Sequence, residues 1–435
     1  MTKSIHQERN NENIGRTIVL VLVYFFYLYS FQVPGLPVGT VMPLLGIFAF
    51  YSFYSFLRGR KIEKMRTAKM VRQYWLWNVF LIIYVFSLLQ IFGSGDGDTP
   101  LKDYTLMLII LPIFYISGHY ILKDLEELMK VLYIGVVIQS LIIIAALLIP
   151  ALSVALFLLI PEGGYNSDHF GGLDMITQYG YHIGLGVFTS AGSLKMAIGQ
   201  MGACYYLCKS RGHKLFIHIS IFLIITIATS VVSRTGLLVS LVGLLVAFLV
   251  KRKQGGGRAF GYISLFLLSL IMGYVVVSVT FSSKFLEEIF QRIINTADEG
   301  IKDTYFTGYI GEGGNNVLPP LSVETLIGLG ITIGVSGSGI ETITDGGFMR
   351  NYSAMGLIVA FINYVIIARF FVKRYKVTRN MVNKGLILFL FLIMIIGEFK
   401  EYFVYYIYPM CFTFLIFGLI EREEKNQHTM LEAKI

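Results

Sequence analysis

The most constraining feature of this sequence is a succession of long apolar runs, separated by short blocks that hold nearly all the charged residues. Most runs are roughly 17 to 25 residues long, the length that crosses the hydrocarbon core of a bilayer as an α-helix. Charged residues make up only 14% of the chain, whereas a soluble domain carries about 25%. The sequence therefore excludes a soluble enzyme, a disordered chain and a disulfide scaffold. It predicts an all-α, polytopic integral membrane protein.

The apolar runs predict about twelve transmembrane helices and one large loop between the ninth and the tenth. The helices are expected at 17–33, 38–57, 74–92, 104–122, 131–149, 187–208, 215–232, 235–250, 260–280, 352–372, 385–397 and 403–420. The chain then divides into an N-terminal tail (1–16), helices 1–9 (17–281), the large loop (282–345), helices 10–12 (346–420) and a C-terminal tail (421–435).

The distribution of charge predicts the orientation of these helices. The loops 209–214, 251–258 and 373–384 together hold twelve basic residues and no acidic ones, and loop 58–72 holds seven basic residues and one acidic residue. Loops rich in Lys and Arg remain in the cytoplasm. Loop 282–345 has nine acidic residues against three basic ones, so it is predicted to lie outside, with both termini in the cytoplasm. This bias also accounts for the net charge of +9 without a nucleic-acid partner.

Two basic residues lie within or between the outer ends of predicted helices, where a charge is costly and is by default a functional candidate. Arg234 stands in the break Ser233–Gly236 between two short runs. Its guanidinium would bind phosphate through two parallel hydrogen bonds, helped by the hydroxyls of Ser233 and Thr235, or it would anchor the turn to lipid headgroups. Lys195 lies about 12 Å along its helix at 1.5 Å per residue. Either this lysine is buried, or the Ser/Gly stretch before it is non-helical and lines a wet cavity, or the lysine snorkels to the surface.

Further charges are predicted on the same outer side. Arg350 follows Asp345 by five positions in a glycine-rich turn, where the two would pair with each other or serve one site. Glu398 lies in a short predicted outer turn, as a solvated hairpin tip or as part of the site. Loop 282–345 has 64 residues, and long loops of this kind are more often functional lids than passive caps.

Together these charges suit a lipid-linked diphosphate. Cations would stabilise the charge that develops on the leaving group, and a carboxylate or a histidine would deprotonate an acceptor hydroxyl. The sequence has no Gly-Lys-Ser/Thr phosphate loop and no His-Glu-x-x-His pair, and its cysteines lack the further ligands of a metal set. We therefore expect neither a cofactor nor a metal. The alternative from another class is a polysaccharide flippase or transporter, although such proteins tend to show internal repeats and none is visible here.

Two motifs resemble those of the O-antigen polymerase and ligase superfamily. The Ser233–Gly236 turn between two helices resembles its Ser-Arg-Gly type motif. The segment Leu326–Gly330, followed by Asp345–Phe348 and then by Tyr352–Gly356, resembles its second signature: a Gly-x-Gly segment, a polar residue, an aromatic residue and a glycine in the next helix. The number of helices, their orientation and the position of the large loop agree with this family along essentially the whole chain.

The resemblance implies a membrane-embedded, GT-C-like, inverting and metal-independent glycosyltransferase in the cytoplasmic (inner) membrane of a bacterium. It would join undecaprenyl-diphosphate-linked oligosaccharide repeat units on the outer face, as a polymerase of O-antigen, capsule or exopolysaccharide. A flippase and a chain-length regulator are the protein partners expected. Arg234 would contact the donor diphosphate, and Asp345 or Arg350 would flank the reacting sugars. Ligases usually present a histidine where this chain has Asp345, which favours a polymerase over a ligase. The catalytic base stays open among Asp345, Glu312, Glu398 and His182.

Overall fold

The computed structural model of the protein describes residues 2–31, 39–58, 65–157, 159, 184–186, 189–254, 322–336, 339–342, 346–406 and 408–432. The chain divides into two compact units. Unit 1 consists of Met1–Phe50 and Leu122–Phe248, and unit 2 of Tyr51–Ile121 and Leu249–Ile435. The predicted ninth helix (260–280) and most of the large loop lie outside the described residues.

The described part is almost entirely helical, as predicted. In chain order the helices are α1 (Thr2–Leu28), α2 (Val41–Leu57), α3 (Arg66–Phe92), α4 (Leu101–Ile121), α5 (Leu125–Leu148), α6 (Pro150–Phe157), α7 (Thr189–Lys209), α8 (His213–Val232), α9 (Arg234–Lys253), α10 (Val323–Ile327), α11 (Gly347–Val377), α12 (Met381–Lys400) and α13 (Pro409–Glu432). A 3-10 turn covers Phe403–Tyr405, and two-residue strands β1 (Gly334–Val335) and β2 (Glu341–Thr342) pair in antiparallel fashion.

Seven of the described helices, α3, α4, α5, α8, α9, α11 and α12, are long and apolar enough to cross a membrane. The apolar part of α1, Ile14–Leu28, and the whole of α2 are shorter. Large apolar side chains on α11 are exposed at helical spacing: Ile358 is 61%, Phe361 68% and Val365 48% accessible. An exposed apolar stripe of this kind is expected of a surface that faces lipid. The chain is therefore an α-helical membrane protein.

Several predicted boundaries are wrong, each for a local reason. The predicted loop 123–130 is mostly helix, because Asp124 accepts a hydrogen bond from the backbone N–H of Glu127 at 2.8 Å and so caps α5. The predicted short helix 385–397 extends over Met381–Lys400, capped in the same way by Asn380. The last helix begins at Pro409 rather than at 403, since the 3-10 turn occupies the start of that run.

Polar contacts show which segments share an end of each unit. In unit 1 Arg16 forms a two-pronged ion pair with Glu127, at 2.8 and 3.1 Å, which places the start of α1 beside the start of α5. In unit 2 the backbone N–H of Asp98 donates to the carbonyl of Ile333 at 2.7 Å, so the connection after α3 lies beside β1. At the other end of unit 2, Glu421 accepts hydrogen bonds from the N–H groups that open α3. Segments predicted on the same side of the membrane thus lie together within each unit.

Candidate functional site

The predicted break around Arg234 is real and separates α8 from α9 within unit 1. Ser233 is extended (φ −162°, ψ 156°) and ends α8. Its hydroxyl accepts a hydrogen bond from the backbone N–H of Gly236 at 3.2 Å, as a helix N-cap does. A side chain at Gly236 would lie 2.5 Å from the carbonyl oxygen of Thr229. The glycine therefore lets the two helices approach closely at the break.

Two of the predicted phosphate ligands contact neighbouring segments of unit 1. The Ser233 hydroxyl donates to the hydroxyl of Ser193 on α7 at 2.7 Å. Two residues further along α7, Lys195 is half-buried and donates to the carbonyl of Gly186 at 3.0 Å. Because α7 is helical from Thr189, the alternative in which the stretch before Lys195 is non-helical is wrong. Its ammonium instead reaches back towards the start of the helix.

The remaining residues of that motif are placed only in part. Arg234 is the first residue of α9, where backbone N–H groups lack helical acceptors and the helix dipole favours an anion. The position of its side chain lies outside what the structure describes. Thr235 is buried, with 3% of its surface accessible. The structure thus brings Ser193 and Ser233 into contact at the start of α9.

Unit 2 contains a buried carboxylate, that of Glu398. It is only 2% accessible, so the interpretation as a solvated hairpin tip is wrong. One carboxylate oxygen accepts from the backbone N–H of Val404 at 2.6 Å, and the other accepts from the hydroxyl of Tyr364 at 3.1 Å. The chain beyond α12 folds back over the helix end through its 3-10 turn, which brings Val404 to the carboxylate and covers it.

This carboxylate is packed against the start of α11. A side chain at Gly347 would overlap the Glu398 carboxylate, so only a glycine allows this approach. Asn351, one turn further on, donates to the Tyr364 hydroxyl at 2.5 Å. Arg350 lies in the same first turn and interacts electrostatically with the carboxylates of Glu398 and Asp103. A cation and a helix N-terminus therefore occur together at this point.

Two segments of the second motif, Leu326–Gly330 and Tyr352–Gly356, lie directly against each other. Gly328 (φ 106°) and Gly356 (φ 77°, ψ 162°) both have left-handed backbone conformations that favour glycine. A side chain at Gly328 would lie 2.6 Å from the backbone nitrogen of Gly356. The backbone N–H of Leu329 donates to Ser353 at 2.7 Å, and that of Gly330 donates to Ala354 at 3.0 Å. These bonds satisfy two carbonyl groups that the kink at Gly356 frees inside α11.

Sequence reasoning missed the polar groups inside unit 2. Asn363 on α11 accepts hydrogen bonds from the indole of Trp77 at 2.8 Å and from the hydroxyl of Tyr405 at 3.0 Å. Tyr402 donates to the hydroxyl of Tyr104 at 3.2 Å. Single Asn and Tyr residues within apolar runs were the available signal, but spacing alone does not say that they meet.

Three predicted catalytic residues, Asp345, Glu312 and His182, lie outside the described residues. Among the residues that are described, no group of three or more His, Cys, Asp or Glu side chains is arranged to hold a metal ion.

Comparisons with known proteins found no match: no protein-family model, no curated protein and no solved structure matches the chain. The resemblance of the two motifs to the polymerase and ligase superfamily therefore stays a prediction.

Proposed function

We propose that this protein is a membrane-embedded glycosyltransferase that joins lipid-diphosphate-linked oligosaccharide repeat units, as a polymerase of a bacterial surface polysaccharide. In this proposal it lies in the cytoplasmic membrane, with its site on the outer face and both termini in the cytoplasm. Its substrates are undecaprenyl-diphosphate-linked repeat units, which a flippase supplies, and a chain-length regulator acts beside it.

The observation that carries the proposal is the polar cluster at the start of α11. Arg350 lies in the first turn, where the helix dipole adds to its positive charge, and Glu398 is packed against that turn from within the protein. Ionisable groups in a membrane protein are costly and mark functional sites by default. Burial and two hydrogen bonds suit Glu398 for holding this turn in place. We therefore assign it a positioning role, with Asp345, Glu312 and His182 as the candidates for the base.

The reaction follows from this assignment. The base accepts the proton of an acceptor sugar hydroxyl, and the hydroxyl oxygen forms a bond to the anomeric carbon of the donor. The bond from that carbon to the diphosphate oxygen breaks with inversion, and undecaprenyl diphosphate leaves with the electron pair. Cations stabilise the negative charge that develops on this leaving group. We assign that role to Arg350, in the first turn of α11; a contact of Arg234 with the donor diphosphate is what the resemblance implies.

The first experiment is deletion of the gene in its own host, followed by gel analysis of surface glycans and lipid-linked intermediates. Single repeat units in place of a ladder are expected of a polymerase. Full-length polymer that stays on its lipid carrier would instead indicate a ligase. Repeat units trapped on the inner leaflet would indicate a flippase. Either of the last two results would overturn the proposal.

Complementation with variants tests the assigned residues. Arg234→Ala and Arg350→Ala are each expected to lower polymer yield at least about tenfold, since a hydrogen bond to a charged group contributes about 1.5–3 kcal/mol. Arg369→Ala is the matched control, because Arg369 is exposed on the same helix as Arg350. Asp345→Asn is expected to cost more activity than Asp168→Asn. Near-normal ladders from Arg234→Ala and Arg350→Ala, with normal amounts of protein in the membrane, would refute the phosphate role.

A further inference from the structure

A small pocket in unit 2 contains groups that the proposed phosphate contacts do not use. It has a volume of about 130 Å³ and is lined by Asp103, Met107 and Ile110 from α4 and by Tyr405, Tyr406 and Tyr408 from the segment before and at the start of α13. One wall is thus aromatic, the floor is aliphatic, and a single carboxylate lies at the start of α4.

The carboxylate of Asp103 accepts no hydrogen bond within the described part of the chain, although the positive charges of Lys102 and Arg350 attract it. The residue is half-buried. Withdrawing a carboxylate from water without supplying hydrogen bonds is costly, and such groups normally have partners. A half-buried acceptor without a hydrogen bond from the described residues, at the edge of a pocket, is therefore open to a ligand that brings donors.

The aromatic wall is held rigidly by its own contacts. The ring of Tyr405 lies 4.7 Å from that of Tyr104 and stacks at 5.0 Å on that of Tyr402, and its hydroxyl donates to Asn363 at 3.0 Å. The Tyr406 hydroxyl donates to Glu401 at 3.2 Å. Fixed aromatic side chains with a polar tip give binding surface at little entropic cost.

The charges near the pocket narrow the class of ligand. Asp103 would repel a phosphate or a carboxylate. Arg350, which interacts electrostatically with Asp103, would repel an ammonium group. A hydrocarbon chain would leave the carboxylate unpaired. A neutral ring that carries hydroxyl groups satisfies all three conditions, because its hydroxyls donate to Asp103 while its C–H face packs on tyrosine.

The pocket is slightly smaller than a cavity of about 150 Å³ that encloses benzene, so it would receive one face of a sugar ring and leave the rest of the ring outside. We propose that this pocket is a binding subsite for one neutral sugar residue, with Asp103 accepting hydrogen bonds from its hydroxyls. The proposal rests on the proposed function only for the role of that sugar as part of a glycan substrate.

The test is saturation-transfer NMR on the full-length protein in detergent, which reports sugar protons that contact the protein. The probes are a free hexose, a 6-deoxyhexose, an N-acetylhexosamine, a uronic acid and tetramethylammonium, each added alone. We expect transfer to at least one neutral sugar and none to the uronic acid or to tetramethylammonium.

Variants locate the binding. Asp103→Asn is expected to weaken the affinity about tenfold or more, because it removes a charged acceptor. Tyr408→Leu, which removes part of the aromatic wall, is the second variant. Asp98→Asn is the matched control, since Asp98 contacts its neighbours through its backbone. Size-exclusion chromatography confirms that each variant is folded.

Three results would overturn the proposal: no transfer to any neutral sugar, equal affinity in the wild type and Asp103→Asn, or Asp103-dependent binding of tetramethylammonium. The test is separable from that of the proposed function. A protein that binds sugar through Asp103 but whose deletion leaves the polymer ladder intact would refute the polymerase and retain the subsite. If the ladder requires the protein but the protein binds no sugar, the subsite is refuted and the polymerase is retained.

Discussion

The contact between Gly328 and Gly356 leads to a prediction that depends on backbone geometry alone. Gly356 interrupts α11 with φ 77° and ψ 162°, a region that is essentially restricted to glycine and costs other residues about 1–3 kcal/mol. An added side chain would also overlap the backbone of Leu326 and Ile327. We therefore expect Gly356→Ala to destabilise unit 2.

The magnitude follows from what the added methyl group displaces. Moving the Leu326–Gly328 segment away strains two backbone hydrogen bonds, from Leu329 to Ser353 and from Gly330 to Ala354, each of which contributes about 0.5–1.5 kcal/mol. Together with the dihedral cost, the loss is about 2–6 kcal/mol. For a domain of 150–250 residues this lowers the Tm by roughly 5–20 °C.

The protein's own cysteines provide the assay. Cys204, Cys208 and Cys411 are buried and form no disulfide, and Cys411 belongs to unit 2. In a background with Cys204→Ala and Cys208→Ala, labelling of Cys411 by a thiol-reactive fluorophore during heating in detergent reports the unfolding of unit 2. Labelling of Cys204 and Cys208 in a Cys411→Ala background reports unit 1 in the same way.

The control is Gly46→Ala, because a side chain at Gly46 in α2 would meet no heavy atom within 4 Å. An alanine within a helix stabilises by about 0.5–1 kcal/mol relative to glycine, so no loss is expected there. Gly328→Ala should behave like Gly356→Ala, since each glycine packs on the backbone of the other. A Tm for Gly356→Ala within about 2 °C of the parent protein would refute the reasoning.

The same thermal assay tests four carboxylates. Glu421→Gln should destabilise unit 2 by about 1–3 kcal/mol, because the charged carboxylate of Glu421 accepts hydrogen bonds from the backbone N–H groups at the start of α3. An unchanged Tm would contradict this. Glu127→Gln should destabilise unit 1 by about 1–3 kcal/mol through the lost two-pronged ion pair, whereas Glu126→Gln should cost under about 0.5 kcal/mol because its pair is exposed. Equal effects would contradict the assignment. Glu398→Leu should destabilise unit 2 by about 1–3 kcal/mol more than Glu398→Gln, which keeps an acceptor for Val404; the reverse order would refute a positioning role.

The sequence alone predicts much of the helical framework, because length and apolarity dictate which segments cross a bilayer. The break at Ser233–Gly236 is visible as a polar interruption between two apolar runs, and the structure places α8 and α9 on either side of it. Helix ends are predicted less well. The predicted loop at 123–130 is mostly helix because Asp124 caps α5. A hydropathy pattern cannot distinguish a charged loop from a charged first turn of a helix.

The burial of Glu398 shows why the polar interior of unit 2 escapes sequence reasoning. Its position between two apolar runs predicts a solvated turn, yet the 3-10 turn at Phe403–Tyr405 closes over it and supplies the N–H of Val404. The backbone donor that offsets the cost of burying this carboxylate lies six residues away along the chain. The second donor, the hydroxyl of Tyr364, reaches the carboxylate from another helix. Such partners are set by tertiary packing rather than by the local pattern. Asp103 has the opposite character, because α4 places it half-buried without a donor. In the two proposals, the buried Glu398 therefore holds the first turn of α11 in place, and Asp103, which accepts no hydrogen bond from the described residues, is available to a ligand.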